Sequence, residues 1–466
     1  MNAGSNPIET ATADDSLNLS ADVVTPAPFV FAGGRFSTQV AWTIFVRGLM
    51  IASSLAVGII AGRWLGSAGF GTLAVINLTV AYAAQIGNLG LVLANTYYVA
   101  RDPRHLIPAS ANAFIFSLLW GSAVSLLALG LVAIAPRVFG DIQPKLMSVA
   151  VISVPFQLLT LFGLNLLLAM GLVGRLNVLD ALAQFFLVIN AVVALVILGL
   201  GLWTLVSLNT AASVVVSLLV LLSVVSSISS RKEKKQKWRG DVSLFSRMMR
   251  YAAKMHLQTV AGLLLFRSDL LIVKYFRGAS EAGVYAVASQ VGLLLMLVPA
   301  VISTLLFPRV AAQRDTSGAL ACRTTRHTVL VMTVVCLIAV PALFALPLLY
   351  GAQFADASTQ ALILLPGVFL MSIAGVLSNH FSGTGLPIAI PLFWVATLAF
   401  NLAINFSLVP QYGARGAAFS SAVSYTLIFL LITLYFRART RNSLRTAFVL
   451  SGAELRRVLS IFRQRA

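Results

Sequence analysis

The sequence predicts an all-α integral membrane protein of about 12 transmembrane helices in two pseudo-symmetric six-helix lobes. Three observations lead there. Of 466 residues, 59% are hydrophobic and only 10% charged, against about 25% charged in a soluble domain. Twelve apolar windows are long enough to cross a hydrocarbon core about 30 Å thick, which takes roughly 20 helical residues. Four glycine pairs share one offset of 212 residues: Gly66 with Gly278, Gly71 with Gly283, Gly171 with Gly383 and Gly201 with Gly413. Such internal repeats build many secondary transporters, with the cargo held between the repeats.

Residues 1–35 are rich in Ala, Ser, Thr, Asp and Pro and read as a disordered cytoplasmic arm. No basic stretch precedes a short apolar core there, so a signal peptide is not expected. The first lobe, 36–229, carries spans near 40–62, 71–99, 109–134, 147–170, 175–199 and 203–228. A basic linker, 230–250, follows, with Arg231, Lys232, Lys234, Lys235, Lys237 and Arg239. The second lobe, 251–437, carries spans near 251–276, 283–307, 327–350, 360–382, 387–409 and 415–436. Pro155, Pro299, Pro341, Pro347, Pro366 and Pro391 lie within these windows, and each permits a kink. In the tail, 438–466, Leu444, Val449, Leu455, Leu459 and Phe462 alternate with arginines, as in a basic amphipathic helix on the cytoplasmic leaflet.

The net charge of +19 invites a nucleic-acid reading, but the charge sits in loops and tail rather than on a folded face. With both termini in the cytoplasm, 25 Lys and Arg fall on the inner side and 5 on the outer. That asymmetry follows the positive-inside rule. No nucleic-acid partner is expected. The pattern Gly-x-x-x-x-Gly-Lys-Ser/Thr is absent, so the chain carries no ATPase of its own. Cys322 and Cys336 read as free thiols. The outer loops hold about ten residues at most, too few for an extracellular catalytic domain.

Ionisable groups inside a membrane cost at least ~2.5–3.5 kcal/mol each on insertion scales, so each needs a reason. In the seventh span His256, Arg267 and Lys274 fall within about 20° of each other around the helix, on one face. Asp269 lies about 160° from Arg267. A basic face without an acid suits an anionic ligand. Arg267 is deep enough to face the interior, whereas Lys274, within a turn of the outer interface, is expected to snorkel to headgroups. Arg47 in the first span joins Arg267 if it faces the bundle centre. Asn88, Gln184 and Asn401 are amide candidates for a polar cargo, beside the alternative that such amides join helices. Asp180 and Asp269 are the embedded acids and so the ion-coupling candidates. Asp180 has a local alternative in capping or in pairing with Arg175. No catalytic constellation, metal site or cofactor is expected, and the coupling ion would be a proton or sodium.

The order of several motifs resembles the Wzx-type polysaccharide flippases of the multidrug/oligosaccharidyl-lipid/polysaccharide exporter superfamily. They are Gly62-Arg63-Trp64-Leu65-Gly66-Ser67-Ala68-Gly69-Phe70-Gly71, then Gly87-Asn88-Leu89-Gly90-Leu91, then Arg267-Ser268-Asp269-Leu270-Leu271-Ile272-Val273. Ala282-Gly283-Val284-Tyr285-Ala286 and Leu306-Phe307-Pro308-Arg309 follow, and the resemblance covers about 36–437. It implies a two-lobed bundle working by alternating access in the bacterial inner membrane. The implied cargo is undecaprenyl-pyrophosphate bearing an oligosaccharide, moved from the cytoplasmic to the outer leaflet for exopolysaccharide, O-antigen or capsule synthesis. A cationic lumen including Arg47 and Arg267 is implied, with a polymerase and a chain-length regulator as partners. An arginine fork matches a pyrophosphate. The rivals are a drug/cation antiporter of the same superfamily, a peptidoglycan-precursor flippase and a polyprenyl-sugar glycosyltransferase. The first would rely on Asp180 or Asp269. The second has two further helices where this tail is basic and polar. The third would need acids on outer loops that offer only Asp141, Glu281 and Asp356.

Overall fold

The computed structural model describes residues 35–135, 139, 142–230, 238–313, 317–384 and 387–449. The expected disorder of the arm and the distal tail helix fall outside these residues. Among those described the chain is helical and without strands. The first half holds α1 (Arg35–Gly87), α2 (Leu91–Arg101), α3 (Leu106–Ile134), α4 (Pro144–Val151), α5 (Ser153–Ala169), α6 (Val173–Ala191) and α7 (Gly201–Ser229). The second holds α8 (Val242–Gln313), α9 (Ala319–Leu343), α10 (Leu346–Tyr350), α11 (Ala355–Gly383), α12 (Ala389–Thr440) and α13 (Leu444–Phe448).

Nine helical segments among the described residues are long and apolar enough to cross a membrane. Sequence windows suggested about twelve, and the difference lies in three long segments. These are Gly48–Gly87, His256–Leu297 and Ala389–Thr440, of 40, 42 and 52 residues. Each contains a glycine with non-helical backbone: Gly66 (φ 71, ψ 179), Gly278 (φ 84, ψ −178) and Gly413 (φ 58, ψ −141). The helix turns a corner at each of these positions and continues without an intervening loop.

Two of those corners belong to one pair of the 212-residue register. Gly66 and Gly278 adopt nearly the same backbone conformation, one open to glycine alone because a Cβ would clash. The next pair forms the contact between the halves. A Cβ on Gly71 would lie 1.9 Å from the carbonyl oxygen of Ala279, and one on Gly283 would lie 2.0 Å from that of Ser67. Ala279 itself lies 212 residues after Ser67. The contact is therefore reciprocal, as about a two-fold axis. Ser67 Oγ and Ser280 Oγ are hydrogen bonded at 2.7 Å beside it. We call this end of the bundle the corner end.

The opposite, linker end carries Asp102, Asp241 and the start of α8. Asn112 Nδ2 donates to the Asp241 carbonyl at 2.8 Å, and Asp241 Oδ1 caps α8 through the Leu244 N–H at 3.0 Å. The Arg104 guanidinium against Asp102 holds that carboxyl below the usual carboxylate range. Ala447 of α13 is buried and Phe448 packs on Phe429, so the first turn of the tail docks on the bundle.

Two expected spans are interrupted. The window 71–99 breaks at Asn88-Leu89-Gly90, where Leu89 (φ 48) and Gly90 (φ 77) are both left-handed. The window 147–170 breaks at Ile152, between α4 and α5. Pro155 lacks an N–H and cannot bond the carbonyl four residues earlier. Ser125 Oγ donates to that carbonyl, Val151 O, at 2.8 Å instead. Pro341 and Pro366, by contrast, lie inside α9 and α11. The long helices turn at glycines, because a corner needs positive φ and proline holds φ negative.

Candidate functional site

The ionisable and amide groups fall into two places. The first is the seam between the halves. Arg267 is half-buried on α8, within electrostatic range of Tyr82 on α1. The Tyr82 hydroxyl is buried there without a hydrogen-bond partner. Along the same seam Gln290 Nε2 donates to the Ser54 carbonyl at 3.3 Å. Nearer the linker end His256 Nε2 lies 3.1 Å from the Ile86 carbonyl, at the break in the second predicted span. Arg267, His256 and a tyrosine of the first half thus line one boundary.

The second place is the interior of the second half. Asp269 is 1% exposed, about 160° around α8 from Arg267 and within electrostatic range of it. Its Oδ1 accepts the Leu270 N–H at 2.9 Å. Its Oδ2 accepts the Ser421 hydroxyl at 2.8 Å and the Tyr285 hydroxyl. Beside this network Asn401 Nδ2 donates to Ser424 Oγ at 3.1 Å, and Asn405 Nδ2 donates to Asn401 Oδ1 at 3.0 Å. Asn405 Oδ1 is buried without a partner. A cleft opens next to Tyr285, lined by Phe266, Ser289, Leu364, Val368 and Tyr425.

Lys274 differs from its expected setting, and Asn88 and Asn401 fit the alternative of structural amides. Lys274 does not snorkel: it is 1% exposed, because the face of α8 that carries it is covered. Asn88 is buried and committed to the helix break. Its Oδ1 accepts the Gly90 N–H at 2.7 Å, and its Nδ2 donates to Gln85 O at 2.7 Å and Gln85 Oε1 at 2.8 Å. Asn401 belongs to the interior network rather than to the seam. Arg175 donates to Ser227 Oγ at 2.7 Å. Asp180 and Gln184 are half-buried on α6, in the other half from Asp269. Arg47 lies on α1, and its side chain is outside the described residues.

Tyr82, Tyr285 and Ser421 were not singled out from sequence. The signal available was the run Ser420-Ser421-Ala422-Val423-Ser424-Tyr425, polar within an apolar window. Hydroxyls in a span need partners. Among the described residues no group of three or more His, Cys, Asp or Glu could hold a metal ion. One carboxylate among hydroxyls and amides offers hard oxygens with a single negative charge. It suits a proton or a monovalent cation better than a divalent one.

Comparison with known proteins agrees with this architecture. The structure superposes on the lipid II flippase MurJ in its inward closed conformation with a TM-score of 0.69 at 14% identity, covering 91% of this chain and 96% of that one. A multidrug resistance MATE family transporter of the MOP superfamily, inward-facing, gives 0.67 at 14% identity over 84% and 94%. At such identities the likeness is one of fold. A Haloferax volcanii protein described as the probable flippase AglR is 28% identical over 169 residues, 34% of this chain and 35% of that protein. A Shigella flexneri protein described as a candidate O-antigen transporter is 26% identical over 194 residues, 40% and 46% of the two chains. The matches thus span under half the length of these curated relatives. The family described as polysaccharide biosynthesis protein matches residues 38–313, more than half of the chain. This match shows that the chain belongs to the polysaccharide biosynthesis protein family.

Proposed function

We propose that the protein is a flippase for a lipid-linked glycan, carrying a polyprenyl-pyrophosphate oligosaccharide from the cytoplasmic to the outer leaflet of the bacterial inner membrane. The observation that carries this reading is Arg267, a half-buried arginine at the seam between two halves. A pyrophosphate is a compact anion that a guanidinium binds in bidentate fashion. The sugars would follow along the seam past Tyr82, and the polyprenyl chain would stay in lipid. The three glycine corners each join two arms, so the chain would cross twelve times, with the linker end cytoplasmic. Alternating access moves the seam from one face to the other without covalent chemistry, and no enzymatic role is assigned.

The buried carboxylate of Asp269 is the proposed ion-coupling group, with a proton or sodium as the ion. Asp180 is the second candidate, and Arg47, His256, Lys274 and Gln184 are further candidates for cargo contact. A polymerase and a chain-length regulator are proposed partners. Which surface polymer is made, O-antigen, capsule or exopolysaccharide, would follow from the sugars of the repeat unit.

The test is the leaflet location of lipid-linked oligosaccharide in cells depleted of the protein. Accumulation on the cytoplasmic side with loss of surface polymer supports the reading. Normal polymer with raised sensitivity to organic cations would replace it with a cation antiporter. That second reading draws on the same Asp269 site and its aromatic cleft.

A further inference from the structure

The corner end is closed by a hairpin from the second half that rests on the first. It comprises residues 344–354, with α10 and one further helical turn (Ala352–Phe354). Gly58, Gly62 and Gly66 of α1 are spaced four apart, so they form one bare helix face. Tyr350, 1% exposed, occupies that face. A Cβ on Gly62 would lie 2.7 Å from its ring, and one on Gly58 would lie 3.0 Å from its hydroxyl. Gln353 covers the third glycine, and its Oε1 accepts the Ser67 N–H at 3.1 Å. Arg63 holds the hairpin from the side: its Nε donates to Leu349 O and its Nη2 to Leu348 O, both at 2.6 Å. The ring of Phe70 packs edge-on against Tyr350 and Phe354.

Two features suit a contact that forms and breaks. The Arg63 bonds are exposed, so water can take their place as the hairpin lifts. The Tyr350 hydroxyl is buried without a hydrogen-bond partner, a cost incurred only while the hairpin is seated.

We propose that this hairpin is the removable closure of the corner end, with Tyr350 as the plug on the glycine face and Arg63 as the latch. The inference rests on the alternating-access reading, in which this end must open to release cargo.

The test uses the full chain in cells, with Cys322 and Cys336 replaced by alanine and Ser67→Cys as the probe. Ser67 is 9% exposed at the closure, and the change is nearly isosteric. A membrane-impermeant maleimide is added outside. Arg63→Ala should speed labelling roughly tenfold, the effect of losing two modest hydrogen bonds. Tyr350→Phe should slow it, because the plug keeps its ring and loses the unpartnered hydroxyl. Tyr350→Ala should speed it, and Arg63→Ala, an exposed change, remains informative if Tyr350→Ala does not insert. Unchanged labelling in both Arg63→Ala and Tyr350→Phe overturns the closure. In a separate chain, Ser67→Cys with Ser280→Cys should form a disulfide across the seam that stops export, with recovery on reduction. A cross-linked protein that exports normally also overturns the proposal. Labelling does not depend on the cargo, so failure of the flippase reading would appear in the lipid-linked oligosaccharide assay alone.

Discussion

At the scale of single residues, Arg267 and Asp269 sit two positions apart on α8, on different sides of the helix yet within electrostatic range of each other. An α-helix turns about 100° per residue, so two positions place them on nearly opposite faces. The Asp269 carboxylate closes on Tyr285 and Ser421, and Tyr82 of the first half lies within electrostatic range of both Asp269 and Arg267. Arg267→Ala should abolish glycan export while membrane insertion, read by blotting, stays normal; normal export in that variant would remove the anion site. Asp269→Asn should free transport from its ion gradient. If dissipating the gradient stops wild type and variant alike, coupling lies elsewhere. Lys274 is enclosed, so an impermeant amine reagent should leave it unmodified in the folded protein, as mass spectrometry of its peptide would show.

At the scale of elements, helix geometry is set by where backbone groups lose their partners. The carbonyl freed by Pro155 is recovered by Ser125 from the neighbouring helix. Ser125→Ala would leave it buried and unbonded, at a cost of about 1–3 kcal/mol. Thermal unfolding in detergent should register a clear decrease. The corner glycines are a second case. Gly66→Ala and Gly278→Ala each force a Cβ into a conformation that costs about 1–3 kcal/mol. The Gly66 substitution should cost more, because its Cβ would also press on Gln353 Oε1 at 3.3 Å, whereas nothing lies within 4 Å of one on Gly278. The break at Asn88 shows the opposite economy: one side chain satisfies the groups that the turn exposes, and Trp120 Nε1 bonds Gly87 O at 3.0 Å.

At the scale of the whole molecule, the two halves meet through matched surfaces. The reciprocal approach of Gly71 to Ala279 and of Gly283 to Ser67 brings the halves together at the corner end with almost no side chain between them. Surfaces that meet in this way can part without repacking large side chains. Topology follows from the same layout. Reporter fusions after Gly240 and Asn442 should be active in the cytoplasm, and one at Gly351 outside. A fusion at Gly351 that reports from the cytoplasm would invert the orientation drawn from the 25 to 5 charge asymmetry.

Sequence alone determined the class of the molecule and its apolar helices, because hydropathy is a local property, and its duplication, because a repeat is read by comparing the chain with itself. It also placed Asp269 opposite Arg267, since an angle along one helix needs no tertiary information. Only the tertiary structure decided which faces meet. Lys274 is enclosed and not lipid-facing, Asn88 caps a break, and Tyr285 and Ser421 reach one carboxylate from different arms. Those outcomes depend on contacts between residues up to 152 positions apart. A helix period repeats every few residues and carries no information about a partner that far along the chain.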